Sequence, residues 1–508
     1  MLLVGAIINY TCNTLFLYQL LASSATIILL RTLQFLLARR RRYQLFRYYG
    51  IPGPRPNLFE GNYGLFLRSP YTSEMDQELR DRYGKNFGVF IGDQPWLFVT
   101  DLEIIRKIFL EDKENFRARA RSFFTSVIGQ HSILYAEYNL WKLYRRILSP
   151  PFSRYAVKCD NSTRFIEETV GLVLSYIDGR LVLNNSGRQT ANIDIHGLMK
   201  SAALRMTSVI AVKLPEIQIS EGDEYVKSLD LFLSKTQSSI LRWAVRLPPV
   251  RKAIDYLAQK HEDALLALIR SKLDLAIDEY AKDCSDPSKD KRNDQQDQVI
   301  DTLVRLHCEG KICREAVISN AVTILLSGYD TTSTTLAYIF WALAKHTEVQ
   351  EKLKSDLEAR GIDAPYLEQV INETFRLYPI VRSIITRLAT KSVQYDGLMI
   401  PKGVLVVYNS WLINHDPKIW PDPKRFDPDR FRPGQTQHPC AFAPFGLGDR
   451  RCLGYQLALL TIKRIVCDIV ISYRLRLISP KKLELICYAG SLTKPREKVV
   501  LELERRIR

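Results

Sequence analysis

The chain has 508 residues, too many for one small core and enough for several average domains or one large one. Apolar residues make up 46% and charged residues 25%, a globular balance, and the formal charge is +17. Such an excess asks for an acidic partner, but no Lys and Arg run is interleaved with aromatics, so nucleic acid is set aside and anionic lipid or an acidic protein remains. Nine cysteines at irregular spacing form no disulfide framework, and without a C-x-x-C pair or an H-E-x-x-H there is little support for zinc.

Residues 1–30 carry no charged side chain, and about 20 apolar helical residues span a bilayer. Arg31 and the run Arg39, Arg40, Arg41 and Arg42 follow, so the positive flank stays cytosolic and the N-terminus faces the lumen. A cleaved signal peptide needs a basic residue ahead of its apolar core, and none is present. Residues 1–30 are therefore read as a single membrane anchor and 31–56 as a basic, proline-rich connector. Within it Pro52, Pro54 and Pro56 predict a stiff extended segment. Residues 57–508 form the main domain.

Apolar periodicity predicts helices over 156–180, 224–247, 251–281 and 313–357, with a charged loop at 282–298. Strand-like pieces occur at 86–99 and between 381 and 407. The stretch 409–452 is rich in Pro and Gly. The expected fold is mainly α, with a minor β-rich portion.

The strongest local signal is Phe445-Gly446-Leu447-Gly448-Asp449-Arg450-Arg451-Cys452-Leu453-Gly454. Glycines on both sides of Cys452 allow a tight loop in which backbone N–H groups point at sulfur. A following helix, 453–471, brings its N-terminal dipole to the same atom. A glycine-rich turn with an incidental Cys would explain a bare Gly-x-Cys, but not all these offsets together.

These ten residues match every fixed position of the heme-binding signature of the cytochromes P-450, and the chain resembles that family over most of its length after residue 51. The resemblance implies a P-450 fold with heme b between two long helices. Cys452 would be the iron ligand, and O2 the co-substrate. Phe445, Gly446 and Gly454 would frame the heme, and Arg450 would pair with a propionate.

Other motifs follow in the family's order. Ser327-Gly328-Tyr329-Asp330-Thr331-Thr332 resembles its oxygen-activating segment, with Ser327 where Ala or Gly is usual. A mid-helix Gly usually has a local reason. Here it would open a notch for dioxygen and water, with Asp330 and Thr331 supplying protons. Glu373-Thr374-Phe375-Arg376 places opposite charges three residues apart on one helix face. With Arg430 it resembles the family's Glu–Arg–Arg network. Trp141 and Arg145 look like its W-x-x-x-R pair, reaching a propionate, and Arg387 is a further propionate contact. His131, His307, His415 and His438 sit in no comparable loop and are read as structural. The stretch 349–370 is shorter than the family usually has, which implies the loss of a surface helix.

The resemblance points to a membrane-bound monooxygenase of the endoplasmic reticulum, similar to the animal group that oxidises steroids and drugs. It would insert one oxygen atom of O2 into a hydrophobic substrate, such as a steroid, lipid or xenobiotic. Electrons would come from NADPH through a cytochrome P-450 reductase, with cytochrome b5 as a second donor. That partner would dock near Lys142, Arg146, Lys463 and Arg464. Two alternatives are a reductase-independent peroxide isomerase or dehydratase, and a non-catalytic heme carrier. The first often lacks the acid–alcohol pair, and the second has no use for it. Candidate pocket segments, 123–134 and 231–250, are largely apolar.

Overall fold

The computed structural model describes residues 2–66, 74–119, 131–153, 160–212, 217–221, 224–235, 267–285, 299–435, 437–488 and 492–507. Its longer helices are α1 (Leu2–Arg42), α2 (Glu74–Tyr83), α3 (Tyr138–Leu148), α4 (Asp160–Asp178), α5 (Ile195–Val212), α6 (Glu224–Lys235), α7 (Ala267–Ser285), α8 (Val299–Cys308), α9 (Arg314–Lys345), α10 (Thr347–Arg360), α11 (Pro365–Leu377) and α12 (Tyr455–Ser472). The strands are β1 (Asn86–Ile91), β2 (Gln94–Val99), β3 (Val182–Leu183), β4 (Gln189–Asp194), β5 (Ile385–Leu388), β6 (Val393–Tyr395), β7 (Leu398–Ile400), β8 (Leu405–Tyr408), β9 (Tyr473–Ser479), β10 (Leu485–Tyr488), β11 (Leu492–Pro495) and β12 (Val500–Arg505). The mainly helical expectation holds.

Helix α1 continues past the expected anchor boundary at residue 30. No Gly or Pro interrupts residues 6–49, so the helix runs through the connector's first half to Arg42. The part of it with described side chains is long and apolar enough to cross a membrane. The proline-rich segment does not stand free: Gly88 N–H donates to Pro52 O at 2.8 Å, and Asn62 Nδ2 donates to the Pro54 and Arg55 carbonyls at 3.3 and 3.2 Å.

The single pattern over 313–357 divides at His346, whose backbone leaves the helical region (φ −111°, ψ 77°) while its ring stacks on Phe426 at 5.1 Å. Helices α10 and α11 are joined only by the 3-10 turn Gly361–Asp363, consistent with the short connection expected. Helix α7 reaches Ser285, into the start of the expected loop. The remainder of that loop, 286–298, lies outside the described residues. So do 156–159, 236–247 and 251–266 of the predicted helices, and most of both pocket segments.

One sheet has the order β1-β2-β8-β5, with β2 and β8 parallel. The other, β3-β4-β12-β9, was not anticipated. Its signal is nonetheless visible in β9, where Tyr473 and Leu475 are buried while Arg474 and Arg476 are exposed, the period of two expected of a one-sided strand. The main core surrounds α9, which is buried on nearly all sides. A helix apolar all round belongs at a centre, not a surface. It packs against α5, α8, α11 and α12.

Candidate active site

Cys452 sits in a loop closed on itself. Its N–H donates to Phe445 O at 2.8 Å, Gly446 N–H to Ala443 O at 3.0 Å, and Arg451 N–H to Gly448 O at 3.0 Å. Gly446 and Gly448 have φ of +80° and +64°, where a side chain is strained. A Cβ on Gly448 would also lie 2.3 Å from Phe109 O. Helix α12 starts at Tyr455 with Gly454 as its N-cap. Phe445 packs edge-on against Phe375 of α11 at 5.3 Å, tying the loop to the body.

The Cys452 thiol has accessible surface, yet the protein around it displaces most bulk water, and this desolvation pushes its pKa up. A Gly454 N–H directed at sulfur and the charges of Arg145, Arg119 and Arg451 oppose that rise.

Three guanidiniums gather nearby. Arg387 of β5 donates to Leu447 O at 2.8 Å and lies 4.9 Å from the Phe109 ring centroid. Arg450 lies 4.1 Å from the Trp141 ring centroid and donates to Arg117 O at 3.3 Å. Arg119 donates to Arg450 O at 2.7 Å. Burial lowers the pKa of Arg119 to about 10 and that of Arg450 to about 9, and pushes Arg387 down as well. Arg119 Nε and Arg450 Nε and Nη1 are buried with no acceptor among the described residues. Stranded cationic donors of this kind are costly and call for anions. A cavity lined by Phe109, Phe116, Trp141, Arg387, Asp449 and Arg450 opens beside them. The Cys452 thiol and the buried guanidinium donors of Arg119 and Arg450 fit a heme, whose iron would take the sulfur and whose carboxylates would take the arginines.

Trp141 thus supplies a ring face that holds Arg450. Arg145 is placed on the sulfur side, where its Nη1 donates to Arg451 O at 2.8 Å. Arg119 was not singled out from the sequence, because nothing in the alternating Arg117, Arg119 and Arg121 distinguishes the middle one. His438 accepts from Cys440 N–H at 3.1 Å and pairs with Glu103 at 3.1 Å, which leaves it no ligand role here.

On α9, Ser327 is exposed and Ile324, Gly328 and Thr331 are half-buried, a stripe along one helix face. Thr331 Oγ1 donates to Ser327 O at 2.6 Å. Its hydrogen is used there, so its oxygen is left to accept. Asp330 is buried. Lys494 of β11 is desolvated and lies in the fields of Lys200, Asp230 and Asp330. Tyr329 Oη donates to Asp230 at 2.7 Å, and Lys200 pairs with the same carboxylate at 2.5 Å. Lys494 carries no local sequence signal, being far along the chain from Asp330.

A Cβ on Gly328 would lie 2.1 Å from Thr207 Cγ2, so the glycine admits α5 against α9.

Glu373, Arg376 and Arg430 come together as expected. Arg376 binds Glu373 through two bonds of 2.7 Å, and Arg430 Nε lies 3.6 Å from Glu373 Oε1. Arg376 also donates to Asn414 O and Pro423 O, both at 2.8 Å, and to Arg425 O at 3.2 Å. Asp427 N–H donates to Glu373 at 2.9 Å. Burial pushes the Glu373 carboxyl up, against the pull of these donors. The pair pins the irregular segment 414–430 to α11.

Of the four cations expected to meet a redox partner, Lys142 and Arg146 are exposed with no ion pair among the described residues. Lys463 pairs with Glu368 at 3.0 Å, and Arg464 pairs with Asp468 and Glu167 at 2.7 and 3.3 Å.

The model of the cytochrome P-450 family matches residues 51–503. Cytochrome P-450 3A11 of Mus musculus is 28% identical over 491 residues, covering 91% of this chain and 93% of its own. Cytochrome P-450 3A29 of Sus scrofa is 27% identical over 513 residues, covering 95% and 97%. Cytochrome P-450 3A5 of Homo sapiens is 26% identical over 494 residues, covering 92% and 93%.

Proposed function

The chain belongs to the cytochrome P-450 family and is a P-450 monooxygenase, and from that premise we propose that it oxidises a hydrophobic organic substrate, a steroid, lipid or xenobiotic, with NADPH-derived electrons. The cofactor is heme iron, read here as heme b. The observation that carries this is the cluster of guanidiniums beside Cys452, in which Arg119 and Arg450 hold buried donors with no acceptor among the described residues and Arg387 lies next to them, a match for carboxylates. When bound, heme supplies the dioxygen-binding and oxygen-transfer chemistry, and a thiolate ligand favours O–O cleavage.

The chain's own residues do the rest. Gly454 N–H and the nearby arginines hold negative charge on Cys452 Sγ. Thr331 Oγ1, its hydrogen committed to Ser327 O, accepts a hydrogen bond from a water and so positions it. Asp330, buried one residue away, holds a proton at its carboxylate and passes it to that water. Trp141 keeps Arg450 oriented by its ring face.

Electrons enter through a membrane-bound reductase, with cytochrome b5 as a second donor. The docking face is formed by exposed Lys142, Arg146 and Arg451. Helix α1 anchors the chain in the endoplasmic reticulum membrane, with the body cytosolic. The test is purified chain with reductase, NADPH and a panel of steroids, fatty acids and xenobiotics. Oxygenated product formed in step with NADPH is expected. NADPH-independent rearrangement of a peroxide, with no oxygenation, would overturn the reading.

A further inference from the structure

Four arginines in a row at the end of α1 do not play one role. Arg40, Arg41 and Arg42 are exposed, whereas Arg39 is 2% exposed. Arg39 turns inward, where its Nε pairs with Asp93 of the β1–β2 turn and its Nη1 donates to Phe59 O of the preceding loop. Its guanidinium also lies 5.0 Å from the Phe35 ring and 5.9 Å from the Tyr43 ring. Tyr43 Oη donates to Gly92 O at 3.1 Å, beside Asp93. Phe46 is 4% exposed and contacts the Phe90 ring at 5.0 Å. Gly88 exists for this contact, since a Cβ there would lie 2.4 Å from the Phe46 ring. Positions 35, 39, 43 and 46 thus form one stripe with the buried Arg39 and its half-buried carboxylate partner at its centre. A buried arginine satisfied by a half-buried carboxylate, a carbonyl and two rings is a fixed joint, because removing the carboxylate strands the buried guanidinium.

The joint has a geometric consequence. Arg39 follows the last uncharged residue, Leu30, by nine positions, about 14 Å along a helix axis. The body is therefore held close to where α1 leaves the apolar layer. Around the joint, large aromatic side chains face outward: Tyr48 is 81% exposed and Phe59 is 55% exposed. They stand among exposed Arg40, Arg41, Arg42 and Arg47. Aromatic rings interspersed with basic side chains suit the headgroup layer of a bilayer.

We propose that the Arg39–Asp93 joint makes α1 and the body one rigid unit, and so presses the face carrying Tyr48 and Phe59 onto the phospholipid headgroups. This rests on the reading of α1 as a membrane anchor. The experiment uses the full chain in nanodiscs containing brominated phospholipid, with a genetically encoded fluorescent amino acid replacing Leu29, Tyr48 or Phe59 in turn. Quenching is expected at all three sites. Arg39→Met and Asp93→Asn, each tested separately, should cut quenching at position 59 by at least half and leave that at position 29 unchanged. Content of folded protein is followed by circular dichroism, and Asp93→Asn serves if Arg39→Met fails to fold. Quenching at position 29 but not at position 59 would overturn the proposal while leaving the anchor intact. Absence of quenching at position 29 would remove the anchor reading itself. Quenching at position 59 that survives both substitutions would show that the joint does not set this contact.

Discussion

Cys452 and Thr331 carry different burdens, and their substitutions separate them. Sulfur is the only soft ligand framed by the 445–454 loop. Cys452→Ser is expected to abolish the red-shifted Soret band of the reduced, carbon monoxide-bound protein, and retention of that band would refute the ligand assignment. On the proposed reading, Thr331→Ala removes an acceptor for a positioned water and leaves the groups around the cofactor site in place. It should keep consuming NADPH, release more hydrogen peroxide, and lower product per NADPH by roughly 10-fold or more, since positioned proton transfer is worth about 10²–10⁴ in rate. Unchanged product per NADPH, measured with a verified substrate, would place proton delivery elsewhere. The two sites also differ in legibility. The Cys452 loop is contiguous, so its constraint is written in adjacent residues. The basic neighbour of Asp330, Lys494, comes from a strand far along the chain and is joined to it only by folding.

At the scale of elements, two contacts hold the site's frame. Helices α5 and α9 approach closely because Gly328 faces Thr207. Gly328→Val should separate them and lower the thermal midpoint by several degrees, and Thr207→Gly in the same chain should restore part of the loss. If the double variant were no better than the single one, the contact would not be the reason for the glycine. Helix α11 is bound to segment 414–430 through Glu373 and Arg376, both fully buried. Removing one member of a buried pair typically costs about 3–5 kcal/mol because the other is left unpaired. Glu373→Ala should therefore yield little folded protein, seen as loss of the carbon monoxide spectrum in expressing cells. E-x-x-R by itself is common on helices and says nothing about burial. Its meaning here comes from the carbonyls of Asn414, Pro423 and Arg425 that close around Arg376.

For the molecule as a whole, charge sets two behaviours. His415 is stacked on Trp411 at 3.8 Å and held by burial at a pKa of about 4, against an ordinary 6.5. Buried His196 is shifted the same way. The unfolded chain thus binds more protons than the folded one between these values, so stability falls as pH drops from about 6.5 toward 4. The slope from one such group is at most about 1.4 kcal/mol per pH unit. The thermal midpoint should decline from pH 7 to pH 5, less steeply in His415→Phe, and an identical slope in that variant would exclude His415 as a source. Association with the reductase should weaken with salt, as screening shortens to about 8 Å at physiological ionic strength. Lys142→Glu and Arg146→Glu should slow electron transfer more than Lys463→Glu or Arg464→Glu, because the latter two are already paired. Equal effects in stopped-flow reduction would remove that ranking.

What the sequence determined by itself was whatever local chain chemistry encodes: the uncharged N-terminal stretch, the helical periodicities, the glycine-framed Cys452 loop, and the E-x-x-R spacing on one helix face. Each depends on residues within a few positions of one another. The change in charge at Arg31 does not break α1, which runs on to Arg42 with no Gly or Pro between residues 6 and 49. Tertiary structure alone decided the rest. It selected Arg39 from four equal arginines, turned Gly328 toward Thr207 and gathered Arg119 with Arg387 and Arg450. Those choices depend on which surfaces are desolvated against each other, and desolvation between distant segments has no expression in local spacing.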